Sequence, residues 1–374
     1  MTAMNTNTPI KKIAINTGGG DAPGLNAVIK AATISALNKG WEVVGIKEGY
    51  NGLFLPEKFS DGGLINLTYD VVADITGLGG TILGTTNRGN PLRFPMKAAN
   101  GSVVEVDRSD EIMAAFRRNN IDALIAIGGD GSLSMANVFA KKGLRVIGVP
   151  KTIDNDLDKT VITFGFDTAL SFSTECIDRL HSTAKSHSRI LVVEVMGRYA
   201  GWIALESGIS GSADVILIPE IPYDINKVVE HLNNKVKATD KNYAIVVVAE
   251  GAVPTGGTTS VVEKEVGKAE RLGGAADRIA AALKPHIENE IRTVILGHLL
   301  RGGSPTTFDR LLSLRFGAAA VRALVEGQSG VMVALAPPKV NYVPLDEISN
   351  KMKLVRKDSD IILTARDLGI CFGD

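Results

Sequence analysis

Short apolar runs alternate with helical stretches along nearly the whole chain, and this rhythm limits the fold more than any other feature. Strand-like runs fall at residues 12–16, 42–46, 123–127, 145–149, 190–195, 215–218, 243–249 and 293–296. Helical patterns fall between them, at 25–38, 110–119, 132–142, 167–186, 199–210, 225–237, 275–286 and 307–327. Such alternation predicts an α/β protein with largely parallel sheets and helices on both faces. The Gly- and Thr-rich stretch 251–263, which carries Pro254, reads as a loop. A length of 374 residues allows two or three domains with ample core.

Charge and cysteine usage exclude several function classes. The 41 basic and 41 acidic residues balance, so no global field favours nucleic acid or a membrane surface. Cys176 and Cys371 are too few for a disulfide framework or a thiolate metal site, and the five histidines show no HExxH-like spacing. The first residues are polar, and no apolar run reaches membrane-spanning length, which fits a cytoplasmic protein.

Three loops carry chemistry, each just beyond a strand's carboxyl end, where open α/β sheets place ligands. Pro150-Lys151-Thr152-Ile153-Asp154-Asn155-Asp156 packs a cation, a hydroxyl and two carboxylates into one turn. Such a loop can take a proton from a hydroxyl while a cation holds a phosphate. It also reads as a surface turn whose Asp and Asn cap the next helix. Gly128-Gly129-Asp130-Gly131-Ser132 opens a helix, so its backbone N–H groups and Ser132 suit an anion. Asp130 adds negative charge where phosphate would bind. That conflict is resolved by Mg²⁺ between carboxylate and phosphate, or by Asp130 acting only as a helix cap. Thr17-Gly18-Gly19-Gly20-Asp21 leaves space for a nucleotide, although it fits the dinucleotide fingerprint loosely and the chain has no P-loop.

In this order and context the three loops resemble the 6-phosphofructokinase family. Further motifs carry the likeness: Gly84-Thr85-Thr86-Asn87-Arg88, Gly165-Phe166-Asp167-Thr168-Ala169, Val193-Glu194-Val195-Met196-Gly197-Arg198, and Leu296-Gly297-His298-Leu299-Leu300-Arg301-Gly302-Gly303-Ser304-Pro305. The resemblance spans roughly residues 12 to 325. It implies two Rossmann-like α/β/α domains with the active site in the cleft between them. Residues 1–165 plus about 300–350 would bind the donor, and residues 166–299 plus about 351–374 the sugar phosphate.

The resemblance also implies roles. Asp154 would be the general base, with Thr152 on the transferring phosphoryl group, and Lys151 and Arg198 steadying its charge. Asp156 would hold the loop or orient water, or else cap a helix. Gly20, Arg88, Gly89, Gly129, Asp130, Gly131 and Ser132 would bind ATP, with Mg²⁺ on Asp130. Fructose 6-phosphate would meet Thr152, Ile153, Asp154, Met196, Gly197, Arg198, Glu250, His298, Leu299, Leu300 and Arg301. Arg189 and Arg292 match positions that complete a neighbouring subunit's site, implying a homodimer or homotetramer. Gly131 stands where pyrophosphate-using relatives have a carboxylate, and Lys151 where bacterial allosteric ATP enzymes have Gly. The missing carboxylate weighs more, because it leaves room for the α-phosphate while a lysine excludes nothing. Lys30 and Ile34 replace two effector-site arginines, so activation by ADP through that site is expected to be weak or absent. The alternatives are a pyrophosphate-dependent enzyme and a catalytically silent sensor.

Overall fold

The structure is a computed structural model that describes residues 9–87, 90–97, 102–238, 242–257, 261–263, 271–349 and 351–374. Two sheets organise these residues. The seven-stranded sheet runs, edge to edge, Lys339–Pro344, Val331–Ala336, Arg145–Pro150, Ala123–Gly128, Lys12–Thr17, Glu42–Ile46, Leu64–Asn66. Its five central strands are mutually parallel and its two edge strands antiparallel. The second sheet is parallel throughout, in the order Ile291–Ile295, Ile190–Val195, Ala244–Ala249, Val215–Leu217.

Strand residues point alternately to opposite faces, and helices cover both faces of the central strands, so Ala123–Gly128 and Ala244–Ala249 are apolar on either side. Ile13 and Ile15 join a core beneath the helices Leu25–Leu37 and Thr307–Val325, while Ala14 faces the core beneath Ser109–Arg118 and Asp130–Lys141. In the second sheet Leu191, Val193 and Val195 pack toward Phe166–His187 and Trp202–Ser210. Ile190 and Val192 pack toward Ile225–Ala238 and Ala275–Leu283.

The chain returns twice after the second sheet is built. Thr307–Val325 brings Leu312, Phe316 and Ala320 back to the first sheet's core. Asp360–Asp367 brings Ile362 and Ala365, followed by Phe372, to the second.

The expected strands form within one or two residues of their predicted ends, and Glu42–Ile46 and Ile190–Val195 match throughout. Three expectations need correction. The hairpin Val331–Ala336 with Lys339–Pro344 extends the large sheet where no strand is expected, because two antiparallel strands need no helix between them. Residues 251–263 are not all loop, since Val261–Glu263 pairs with Arg271–Leu272. The helix expected from residue 199 begins at Trp202, after Tyr199, Ala200 and Gly201 have turned the chain.

Candidate active site

Six strands deliver their carboxyl ends to one cleft. Lys12–Thr17, Ala123–Gly128 and Arg145–Pro150 feed the three Gly- and Asp-bearing loops of one wall. Ile190–Val195, Ala244–Ala249 and Ile291–Ile295 lead to Met196–Arg198, Glu250 and His298–Arg301 on the other. The walls meet directly, since Arg301 donates to the Asp21 carbonyl at 3.1 Å.

Backbone bonds and one side-chain bond knit the first wall. Gly18 N donates to Ile127 O at 2.9 Å, Lys151 N to Gly128 O at 2.9 Å, and Thr85 Oγ1 to Gly19 O at 2.6 Å. Ser132 packs so closely that a Cβ on Gly18 would lie 2.6 Å from its Oγ. A Cβ on Gly131, by contrast, would have no atom within 4 Å. Asp130 opens the helix Asp130–Lys141 and its charge reaches Asp156. Arg88 and Gly89 lie outside the described residues.

The loop after Arg145–Pro150 carries the densest charge. Lys151 is buried, and its Nζ donates to the carbonyl of Gly20. Burial, reinforced by the Arg301 guanidinium, lowers its pKa to about 8. Asp154 has an enclosed Oδ1 with no hydrogen-bond partner. Burial raises its pKa, the Asp156 carboxylate raises it further, and Arg301 opposes both. Asp156 is raised too, chiefly by burial. No helix starts after this loop until Phe166, so neither Asp caps one. Thr152 Oγ1 instead accepts from Asp154 N at 3.1 Å, and Thr163 Oγ1 donates to Thr152 O at 2.7 Å. Ile153 is fully buried in apolar core, leaving only its backbone for a ligand.

On the opposite wall, Glu250 N donates to Val195 O at 2.9 Å and Gly251 N to Gly197 O at 3.1 Å. Burial raises the Glu250 pKa, with the Arg198 charge opposing it. The Arg198 guanidinium also sits 5.8 Å from the Tyr199 ring centre. His298 and Leu299 are exposed, whereas the Leu300 side chain belongs to the core. Met196 packs at the edge of that core. Arg189 and Arg292 lie apart from this constellation, at the amino ends of Ile190–Val195 and Ile291–Ile295. Both pair with Glu290, Arg189 at 2.5 Å. Lys30 donates to the Ala73 carbonyl, and Ile34 packs against the core.

The Phosphofructokinase family profile matches residues 12–324. The chain belongs to the phosphofructokinase family. A member from Clostridium perfringens, named ATP-dependent 6-phosphofructokinase 2, is 50% identical over 98% of this chain and 99% of its own. Another from Amycolatopsis mediterranei, named pyrophosphate–fructose 6-phosphate 1-phosphotransferase, is 45% identical over 92% of this chain and 96% of its own. Among solved structures, Pichia pastoris phosphofructokinase superposes with a TM-score of 0.77 at 32% identity, covering 91% of this chain and 36% of that longer one.

Two features of this phosphofructokinase fold escape a reading by motif. Thr168 N and Oγ1 both donate to Asp309 Oδ2, at 2.8 and 2.6 Å, and Thr306 Oγ1 bonds Asp167 at 2.5 Å. This pins the start of Phe166–His187 to the start of Thr307–Val325. Gly165 permits the junction, because its φ of 94° is left-handed and a Cβ would lie 2.8 Å from that of Ala22. The Gly165–Ala169 motif marks one partner of the junction but not the other. Lys353 reaches Asn155 from far along the chain and has no local signal at all.

Proposed function

We propose that the protein transfers the γ-phosphoryl group of Mg-ATP to the 1-hydroxyl of fructose 6-phosphate, forming fructose 1,6-bisphosphate. The observation that carries this reading is Asp154: an enclosed, unpartnered carboxylate oxygen at the meeting point of a phosphate-suited wall and an Arg- and Glu-bearing wall. Its raised pKa suits a group that must accept a proton near neutral pH.

In this reading Asp154 takes the hydroxyl proton as the oxygen attacks phosphorus. Loss of that proton late in the transfer is favoured because the hydroxyl's acidity rises as the bond to phosphorus forms. Lys151 and Arg198 stabilise charge on the transferring group, and Thr152 orients it while supporting Asp154 N. Glu250 accepts from sugar hydroxyls, and His298 and Arg301 hold the sugar phosphate, with Met196, Gly197, Leu299 and the backbone of Ile153 and Leu300 around it. Gly20, Gly129, Gly131 and Ser132 cradle the donor, joined by Arg88 and Gly89.

Among the described residues no three His, Cys, Asp or Glu side chains cluster to hold a metal unaided. A hard oxygen donor such as Asp130 fits Mg²⁺, which takes the rest of its ligands from phosphate and water. When bound, the ion neutralises phosphate charge. The donor unit comprises residues 1–165 and about 300–350, and the sugar unit 166–299 and about 351–374. Core membership supports this division, because Phe316 packs with the first sheet, and Ile362 with the second. Arg189 and Arg292, remote from their own cleft, complete a neighbouring site in a homodimer or homotetramer. The same reading puts the enzyme in the cytoplasm.

The open space at Gly131 favours ATP, since nothing there stands against an α-phosphate. Pyrophosphate is the second reading, favoured by Lys151 on the donor wall and by the name of the Amycolatopsis relative. Product formation from fructose 6-phosphate and Mg²⁺, with ATP and pyrophosphate in parallel, tests both. Turnover with ATP alone supports the first reading, turnover with pyrophosphate alone supports the second, and silence with both overturns them. Asp154→Ala should cut turnover roughly 10²–10⁴-fold.

A further inference from the structure

Lys353 stands 198 positions from Asn155 in sequence, on the segment between Leu345–Ile348 and Asp360–Asp367. Its Nζ donates to Asn155 Oδ1 at 2.7 Å, to Val161 O at 2.9 Å and to Thr160 O at 3.2 Å. The three donors of an ammonium thus meet three acceptors, all behind the loop that carries Asp154. The backbone repeats the attachment: Lys353 N donates to Asp156 O at 2.8 Å, and Met352 forms an antiparallel bridge with Leu157. From the other side, Trp202 Nε1 donates to Lys353 O at 2.8 Å. Asn155 itself is held at φ 51°, a left-handed conformation Asn tolerates better than most residues, and its Oδ1 also accepts from Thr163 N at 3.2 Å.

We propose that Lys353 is a positioning residue for phosphoryl transfer, acting through Asn155 to fix the aim of Asp154. The segment around it forms a strap: it leaves the first sheet's core at Leu345 and Ile348, clips Asn155 and Asp156, and enters the second core at Val355. The core contacts of that segment come from Val355 and, beyond it, Ile362 and Ala365. Removing the ammonium therefore loosens the loop without opening the core. A general base displaced by about 1 Å loses about 10²-fold in rate while substrate binding survives, which sets the signature of this role. The inference rests on the assignment of Asp154 as the base.

The test compares Lys353→Met, Asn155→Gly and the double variant with wild type in kcat, in KM for each substrate, and in hydrogen–deuterium exchange of peptides covering residues 150–163. Each single variant is expected to lose roughly 10–100-fold in kcat with KM for ATP unchanged. Exchange at residues 153–163 is expected to quicken. The double variant should be no slower than the slower single, because both changes cut one connection. Wild-type kcat in either folded single variant, or losses that multiply in the double, would overturn the proposal. Asn155→Gly keeps the left-handed backbone available, so it decides the matter even if Lys353→Met does not fold. A wild-type protein without turnover overturns the role of Asp154 instead. Exchange then judges the strap alone, and unchanged exchange in the Lys353→Met protein rejects it.

Discussion

The ammonium of Lys151 donates to the carbonyl of Gly20, so a cation from one strand's loop closes the glycine-rich turn of another. Its pKa of about 8, lowered by burial and by Arg301, gives the contact a pH dependence. The amine is charged below about 8 and neutral above it. We expect kcat/KM for ATP to fall as pH rises through about 8, and Lys151→Met to lower the plateau and remove that alkaline limb. Among the described residues, Lys353 is also lowered to about 8 by burial and titrates in the same range. An alkaline limb that persists in Lys151→Met assigns it to Lys353.

Burial and the Asp156 carboxylate both raise the Asp154 pKa, so an acidic limb in the rate profile is expected to depend on both groups. The neighbouring carboxylate makes Asp154 harder to ionise. Asp156→Asn removes that charge, and the acidic limb of kcat should move to lower pH. A limb that stays in place or moves upward removes the coupling from the mechanism.

Gly131→Asp should impair ATP selectively. Its side chain enters open space, so folding is expected to be undisturbed, with Tm within about 2 °C of wild type, a surface-level change. KM for ATP should rise more than tenfold, as about 1.4 kcal/mol of charge repulsion requires. An unchanged KM for ATP with a normal melt would show that the α-phosphate does not approach this position.

Asp309 links proton binding to stability. Its pKa stands at about 6 because burial outweighs the bonds from Thr168, above the ordinary carboxylate value near 4. A raised carboxylate pKa favours the fold fully below about pH 4, and that contribution is lost as pH rises through about 6. At about 1.4 kcal/mol per pKa unit, the loss by neutral pH is roughly 3 kcal/mol. Asp309→Asn keeps an acceptor for Thr168 but cannot ionise. Thermal melts between about pH 4 and pH 8 should therefore show a smaller fall in Tm for the variant than for wild type. Equal falls would place the pH dependence elsewhere.

What sequence shows of this protein depends on whether a signal is local. Ile190–Val195 is legible to its ends because a strand covered on both faces is apolar at nearly every position, Glu194 alone excepted, whose carboxylate accepts from Ala276 N at 2.8 Å. Val331–Ala336 carries the same signal, an apolar run after Gly330, and assigning it a strand would have recovered the hairpin. Lys339–Pro344 offers less, being half exposed at a sheet edge. In the site, the three loops are legible because glycines and carboxylates must sit next to strand ends. Reading the loop at 150–156 as a helix cap fails because the chain runs on to Phe166 before a helix forms. Contacts such as Thr168 with Asp309 and Lys353 with Asn155 join positions 141 and 198 apart, and no pattern within either segment announces its partner.

The late return of Asp360–Asp367 and Phe372 bears on how the protein is made. As the chain emerges from a ribosome, every strand of both sheets is available before Lys353, Ile362, Ala365 and Phe372 appear. Until then the second sheet lacks part of its apolar cover, and the loop bearing Asp154 lacks its rear support. The contacts that brace this loop therefore form only after every strand of both sheets has been made.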